Sequence, residues 1–183
     1  IFFLGRGRSF RTNRSDTLVR AETRQFTLTG RIDTSGVSQP IGMRVTSEGI
    51  EARFAGRPVA GLAELATRLP VQAIDPEVHR LVDGGPQERR RYLDWGVFHV
   101  EHGFLDHWVR YTRALRQRNA ALKLGQDPRI WDGELITQGM EVSALRSAWF
   151  DSVRPFWEKA VERLCGLPVD MTHYRGWAAD REL

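Results

Sequence analysis

The chain has 183 residues, of which 41% are hydrophobic and 27% are charged, and its net charge is +4. This composition supplies enough apolar side chains for a folded core and excludes a disordered polyanion or polycation. No apolar run approaches the roughly 18 to 20 residues that a membrane-spanning helix needs, and the single cysteine cannot form an intrachain disulfide. We therefore expect a soluble cytoplasmic protein of one domain or two small lobes, without a membrane partner.

The excess positive charge lies in residues 1–20, which we call the basic segment. This segment contains five arginines and one aspartate, while the rest of the chain contains 22 basic and 22 acidic residues. A field that attracts phosphate should therefore be local to this segment. A basic loop that only keeps the surface soluble is the alternative interpretation.

An antiparallel meander follows. Residues 25–33, 41–46 and 50–54 alternate apolar and polar side chains, which predicts three strands joined by short turns. Residues 59–68 then have the spacing of a short helix.

A buried strand is predicted over Leu69–Ile74, before an Asp75-Pro76 helix start and a short helix to Val82. Gln72 stands near the end of this strand. On residue type alone, a glutamine in this position is usually a solvated surface residue.

The run GGPQERRRYLDWGVFHVE, residues 84–101, interleaves charged and aromatic side chains densely. Pro86 predicts the first turn of a helix. Three successive arginines point in different directions around it, and Asp94 lies about one turn beyond Arg90 and Arg91 and could pair with either. A purely structural alternative also explains this sequence, namely a helix that packs on a neighbour and has a solvated basic edge.

Helices dominate the remainder. Apolar residues recur every three or four positions over 104–122 and again over 142–164, which predicts two long antiparallel helices separated by a break at 125–128. Pro155 should kink or interrupt the second helix. Residues 169–176 are predicted to return as a strand. The fold class is therefore α+β, a meander followed by a helical lobe.

One cluster has the composition of a metal site. On one continuous helix, His99, His102 and Asp106 would share a face at a spacing that suits Zn²⁺, with Glu101 and His107 nearby. Gly103 interrupts that helix, so we predict no metal site.

Several stretches resemble the RecF family of bacterial ABC-type ATPases, which are related to the SMC heads. They are the run at 84–101, GFLDHWVRYTRALRQRNAALK at 103–123, GRGRSFR at 5–11, LPVQAIDPE at 69–77 and RGW at 175–177. The resemblance covers nearly the whole chain. It implies that residues 1–80 are part of the ATPase lobe and that residues 81–168 form helical lobe II. Residues 169–183 would then be a strand that returns to the ATPase lobe.

The resemblance also implies a function and partners. Proteins of this family are expected in the bacterial cytoplasm, where they serve DNA replication, the SOS response and recombinational repair of gapped DNA. They would bind ATP with Mg²⁺, form an ATP-dependent homodimer, and act with RecO and RecR to load recombinase.

The motifs of hydrolysis are missing from this chain. It contains no GxxxxGK[ST] phosphate loop, and neither of its two lysines, Lys123 and Lys159, follows such glycines. The family's signature loop and Walker B acidic pair are also missing, and the chain begins without Met. We expect an internal portion of a RecF protein that does not hydrolyse ATP alone, while the intact protein would be a weak DNA-dependent ATPase.

Site residues follow from the resemblance. Gln72 takes the place of the Q-loop glutamine, which reaches Mg²⁺ or the attacking water. Arg11, with Arg8, takes the place of the arginine set against nucleotide phosphates. In the basic segment, the residues expected to contact the DNA backbone are Arg6, Arg8 and Arg14. In the 84–101 run, the residues expected to fix the helical lobe structurally are Arg90, Arg91, Asp94 and Trp95.

A different class of protein remains open. A helical module that binds DNA or protein without any nucleotide would also have these arginines and long helices. An upstream phosphate loop would separate the two hypotheses.

Overall fold

A computed structural model gives the coordinates of the chain and describes residues 1–12 and 14–176. The chain divides into two units, Ile1–Val78 and His79–Leu183. We call them the sheet unit and the helical unit. No helix in the described ranges is long and apolar enough to cross a membrane.

The sheet unit is built on a four-stranded antiparallel sheet. Its strands are β1 (Gln25–Thr34), β2 (Val37–Thr46), β3 (Ile50–Phe54) and β4 (Arg57–Pro58), in that spatial order. Ser35 and Gly36, the two residues between β1 and β2, both have positive φ, as a two-residue hairpin turn requires. The predicted meander is confirmed, and β4 is an addition too short to show in the sequence pattern.

One face of the sheet forms the core of this unit. Ile41, Met43 and Val45 alternate along β2 and are at most 3% exposed. Two short helices cover them, α1 (Phe2–Arg6) with the buried Leu4 and α2 (Leu62–Arg68) with the buried Leu65. The other sheet face carries the polar residues of the alternation, which explains why the strands could be identified from the sequence.

The strand predicted over Leu69–Ile74 is wrong. These residues alternate between half-buried and exposed positions as a strand does, yet they pair with no strand in the part of the chain that the structure describes. The segment lies against α1 instead of a sheet edge. A 3₁₀ turn, Pro76–His79, and the helix α3 (Arg80–Asp83) then replace the short helix predicted to reach Val82.

The helical unit consists mainly of α4 (Pro86–Val100), α5 (Phe104–Lys123) and α6 (Asp132–Cys165), with a 3₁₀ turn at Arg129–Trp131. Pro86 occupies the first turn of α4, as predicted. Val97, Phe104 and Val142 are at most 2% exposed and bring one residue from each of the three helices into a common core. The predicted fold class, a meander followed by a helical region with a long helix, is confirmed.

Two glycines allow close approach between these helices. A Cβ atom on Gly96 would overlap the Trp149 ring, and one on Gly139 would lie 3.3 Å from Cε2 of Tyr111. Large aromatic rings therefore occupy the space above a glycine on the facing helix. This arrangement is a means of bringing helices together with little loss of packing density.

Two predictions near the end of the chain need correction. Pro155 does not interrupt α6, which runs through it from residue 132 to 165, while the alternative of a kink stays a prediction. Because the side chains around Pro155 are exposed, the carbonyl that loses its helical partner can bond water. Residues 169–176 form no strand, and residues 177–183 of the predicted return strand lie outside the described residues.

Residues 169–176 are held to α6 by side-chain contacts. The Met171 N–H donates to Oε1 of Glu158 at 3.0 Å. The His173 ring lies 5.4 Å from the Phe150 ring, and its Nδ1 lies 3.4 Å from Oγ of Ser147. The Met171 amide and the His173 ring therefore attach this segment to α6 without strand pairing.

Candidate nucleotide and nucleic-acid site

The start of the chain is fixed by a helix cap. Gly7 follows α1 with φ of 64°, and its N–H donates to the Phe3 carbonyl at 2.8 Å. This left-handed conformation favours glycine. A Cβ atom at Gly7 would also clash with the Leu62 side chain at the start of α2. The residues of the basic segment that follow α1 therefore leave the helix in one defined direction.

The Gln72 segment crosses α1 at Gly5. A Cβ atom on Gly5 would lie 2.6 Å from the Leu69 carbonyl oxygen and 2.9 Å from Cγ2 of Val71. Gln72 follows directly, is exposed, and makes no side-chain hydrogen bond with any described residue. The fold thus places the Gln72 amide next to residues that pack on α1, the helix at the start of the basic segment.

Arginines and aromatic rings alternate in that segment. The Arg6 guanidinium lies 6.0 Å from the centre of the Phe2 ring, and the Arg11 guanidinium lies 5.6 Å from the centre of Phe10. The two rings meet edge to face at 5.4 Å. Burial, and then the charge of Arg8, lower the pKa of Arg6. We call Phe2, Arg6, Arg8, Phe10 and Arg11 the arginine–aromatic cluster, and its three arginines form no ion pair with an acid among the described residues.

Arg14 has a different environment. Its Nη2 and Nε donate to the Asp16 carboxylate at 2.7 and 3.3 Å, which raises the pKa of Arg14 and lowers that of Asp16. Both side chains are exposed. Contact with a DNA phosphate would therefore require Arg14 to exchange one anion for another, whereas Arg8 and Arg11 have no such acid to leave among the described residues.

The conspicuous arginines of the 84–101 run are partly used by the fold. Nη1 of Arg89 donates to the Leu81, Val82 and Gly84 carbonyls at 3.3, 3.3 and 2.8 Å. Arg91 pairs with Glu88 at 3.0 Å. Arg90 is exposed and pairs with no residue in the described ranges.

Asp94 does not pair with Arg90 or Arg91, which corrects the sequence-based expectation. Its two carboxylate oxygens accept from Nε and Nη2 of Arg146 at 2.6 and 2.9 Å, and one also accepts from Nε1 of Trp108 at 3.2 Å. Sequence reasoning missed Arg146 because it lies 52 residues away. The three side chains join α4, α5 and α6, and we call them the Asp94 node.

Trp95 follows the node on α4. Its ring lies 4.8 Å from the His99 ring in an edge-on arrangement. Its indole Nε1 is buried and has no hydrogen-bond partner among the described residues. The Trp95 ring therefore packs against its neighbours within the helical unit, and its role in fixing the helical lobe stays a prediction.

The histidines do not form a ligand set. The break between α4 and α5 separates His99 from Asp106 and His107. His107 Nδ1 lies 2.8 Å from Oε1 of the buried Gln138, which gives this ring a structural partner. Across residues 1–12 and 14–176, no group of three or more His, Cys, Asp or Glu is placed to hold a metal ion.

Comparison with known proteins identifies close relatives. No protein-family model matches the chain. The DNA replication and repair protein RecF of Pseudomonas paraeruginosa strain PA7 is 37% identical over 190 residues, covering 100% of this chain and 52% of the relative. The RecF proteins of Pseudomonas putida strain F1 and Stutzerimonas stutzeri strain A1501 are also 37% identical, and the chain covers 52% and 51% of them.

Solved structures show the same fold. The recombination mediator protein RecF of the RecFOR pathway, as RecF-ATP, superposes with a TM-score of 0.81 at 19% identity, covering 94% of this chain and 52% of that one. RecF-ATPrS gives 0.79 at 20% identity, with coverages of 91% and 47%. The resemblance found in the sequence is confirmed. The chain belongs to the RecF family and spans about half the length of the curated relatives that it matches.

Proposed function

We propose that this chain is the part of a RecF-type DNA replication and gap-repair protein that responds to bound ATP through Gln72 and the arginine–aromatic cluster. One observation carries the proposal. The Gln72 segment packs on α1 at Gly5, and the cluster is built on that helix and the residues after it. A displacement of the Gln72 segment would therefore act on α1, which carries Arg6, through the Leu69 and Val71 contacts at Gly5.

The residue chemistry supports this role. An uncharged amide can accept a hydrogen bond from water and donate one to a phosphate oxygen. A guanidinium stays charged and offers a fork of donors to phosphate. Gln72 and Arg11 have exposed side chains, and among the described residues neither is hydrogen-bonded through its side chain.

The whole protein would bind ATP with Mg²⁺, dimerise around the nucleotide, and bind DNA at gaps. It would act with RecO and RecR to load recombinase. This chain has no GxxxxGK[ST] sequence, so we expect no ATP hydrolysis from it alone. The support is the family membership, together with relatives whose names state DNA replication and repair.

The test uses a full-length protein that carries this sequence. Replacing Gln72 by Ala should lower DNA-dependent ATP turnover by about tenfold to a hundredfold, because a preorganised polar group at developing charge is lost. Replacing Arg11 by Ala should act in the same direction. Gln25→Ala and Arg24→Ala, which alter exposed residues of the same unit, are the matched controls. Normal turnover in both test variants would disprove the proposal.

A second candidate is a DNA-binding module that needs no nucleotide. The exposure of Arg8 and Arg11, and the absence of an acidic partner for either among described residues, favour it. Titration of duplex DNA with and without ATP separates the two. Identical affinity under both conditions, with unaltered turnover in Gln72→Ala, would support the module.

A further inference from the structure

We propose that α5 carries a second binding surface for the phosphate backbone of duplex DNA, formed by Arg110, Arg113, Arg116 and Lys123. We call these four residues the α5 stripe. The inference rests on the proposed DNA-binding function and extends it to the helical unit, where the sequence analysis placed no DNA contact.

The four cations lie on one side of the helix. Successive members are three, three and seven residues apart, and such spacings bring side chains to the same face at 3.6 residues per turn. From Arg110 to Lys123 the stripe is about 20 Å long at 1.5 Å per residue. The charges therefore form a line and not a patch.

All four side chains are free to meet a ligand. Each is exposed, and none makes an ion pair or a side-chain hydrogen bond with a residue in the described ranges. Neighbouring arginines differ, because Arg118 donates to Asp132 at 2.6 Å and Arg129 to Asp127 at 2.9 Å. The only acid on α5, Asp106, precedes the stripe.

The opposite face of α5 is fixed. Phe104, Ala114 and Ala121 are buried, and Tyr111 lies over Gly139 of α6. A helix anchored along its length presents its exposed cations in a constant arrangement, so ordering them on a ligand costs side-chain entropy only.

The composition of the stripe favours nucleic acid over a protein partner. Between its cations lie Gln117 and Ala120, and Val109 is the one exposed apolar side chain on this face. Cores of protein interfaces are depleted in charge and depend on apolar or aromatic anchors, whereas interfaces with DNA are polar and strongly positive. One DNA strand carries a phosphate every 3.4 Å, so about six phosphates lie within the length of the stripe.

The net charge outside residues 1–20 does not reveal this surface. Outside residues 1–20 the acidic and basic residues balance at 22 each. Residues 107–126 nonetheless contain five basic residues and no acid, Asp106 lies one turn before Arg110, and the folded structure shows which of the cations share the exposed face.

The experiment measures binding of the 183-residue chain to a fluorescein-labelled duplex by anisotropy at several salt concentrations. One variant changes the four stripe residues to Gln, a good helix former. The control changes Arg91, Arg129, Arg154 and Arg163 to Gln, which removes the same charge from other exposed positions of the helical unit. Far-UV circular dichroism and tryptophan fluorescence verify that both remain folded.

We expect the slope of log K against log salt to become less negative by about 3 to 4 in the stripe variant, because each lost phosphate contact contributes about 0.9. Affinity should fall at least about a hundredfold at low salt. The control should keep the parental slope.

Three results of the salt titrations would overturn the proposal. They are a parental slope in the stripe variant, equal losses in stripe and control variants, and no salt-dependent DNA binding by the parent chain. Tighter binding of the parent to polyglutamate than to DNA, abolished in the stripe variant, would assign the surface to an acidic protein and also overturn it. If a triple variant of Arg6, Arg8 and Arg11 loses DNA binding and the stripe variant keeps it, the proposed binding surface on α5 is disproved. DNA binding by the basic segment is then supported.

Discussion

The two units use their conspicuous polar residues in opposite ways. In the helical unit, Asp94 and Arg89 bond to other parts of the same unit and hold its elements together. In the sheet unit, Gln72 and Arg11 have exposed side chains that hydrogen-bond no described residue. The densest motif is therefore largely architectural, and the residues available for a ligand lie where the sequence is less conspicuous.

The difference follows from how each unit obtains its stability. The sheet unit buries a continuous apolar face, with Met43, Val45 and Leu65 at most 1% exposed, so its polar residues are not needed for packing. The helical unit also buries apolar side chains where its three helices meet, and it adds the charged Asp94 node and two glycine contacts. The polar residues of the Asp94 node are therefore structural, whereas the exposed residues without partners, in the sheet unit and on α5, are the candidates for ligand contact.

The largest effect is expected at the Asp94 node. Asp94→Asn keeps the volume but leaves the half-buried Arg146 without its counter-charge, so unfolding free energy should fall by about 3 kcal/mol. All six tryptophans lie at residue 95 or later, so tryptophan fluorescence in urea reports on the helical unit. Glu88→Gln, which removes an exposed ion pair with Arg91 on the same helix, should cost about 0.5 kcal/mol or less. Equal losses would show that the node has no special role.

Helix packing gives the next effect. Gly96→Ala places a methyl group inside the Trp149 ring position, and such overpacking typically costs about 1 to 3 kcal/mol. The fluorescence of the displaced Trp149 should change as well. Gly133→Ala is the control, because no atom lies near its Cβ within α6, and there alanine should stabilise by up to about 1 kcal/mol. A neutral Gly96→Ala variant would contradict the close contact.

These cases show what local sequence can reveal. Strands β1 to β3 and helices α5 and α6 were predictable because each exposes one face and buries the other, so the period is visible in the letters. The strand predicted at Leu69–Ile74 failed although its alternation is real: half-buried Leu69 and Val71 pack on a helix, not in a sheet. Periodicity reports burial, while strand pairing depends on a partner that the letters do not specify.

The candidate site was predictable only through family resemblance. Neither Gln72 nor Arg11 has a local signal that separates it from a solvated residue. The partners of Asp94 lie 14 and 52 residues away, which no helical spacing rule can reach. The α5 stripe was hidden only in the net charge, because the five basic residues of 107–126, a stretch without acids, are cancelled by acidic residues elsewhere in the chain.

A smaller effect is expected where α1 meets the Gln72 segment. Gly5→Ala would press a methyl group against the Leu69 carbonyl, at a cost of about 1 to 2 kcal/mol in the sheet unit. Hydrogen exchange of residues 69–75 should increase. Gly61→Ala, with extended backbone and open space, is the control. Unchanged exchange in Gly5→Ala would remove the structural basis for coupling Gln72 to the arginines.

The smallest effect concerns pH and the segment at 169–176. Burial lowers the pKa of His173 below its ordinary 6.5; the charges of Arg146 and Arg175 lower it further, and Asp151 opposes them. A released His173 therefore takes up a proton before the docked one does. The docking energy is complete above about pH 6.5 and decreases as the pH falls from there toward the lowered pKa of the docked ring.

Hydrogen exchange at the Met171 amide, which donates to Glu158, measures this docking. Its protection factor, corrected for intrinsic exchange, should fall severalfold between pH 7.5 and 5.5. His173→Phe retains a ring against Phe150 but cannot titrate, so its protection should stay constant over this range. An equal fall in this variant would assign the pH dependence to another group. Because His173 and the Asp94 node share Arg146, protonation of the histidine should also loosen the node. Asp94→Asn removes the counter-charge of Arg146, so Arg146 should lower the pKa of His173 further, and protection at Met171 should depend more steeply on pH than in the parent.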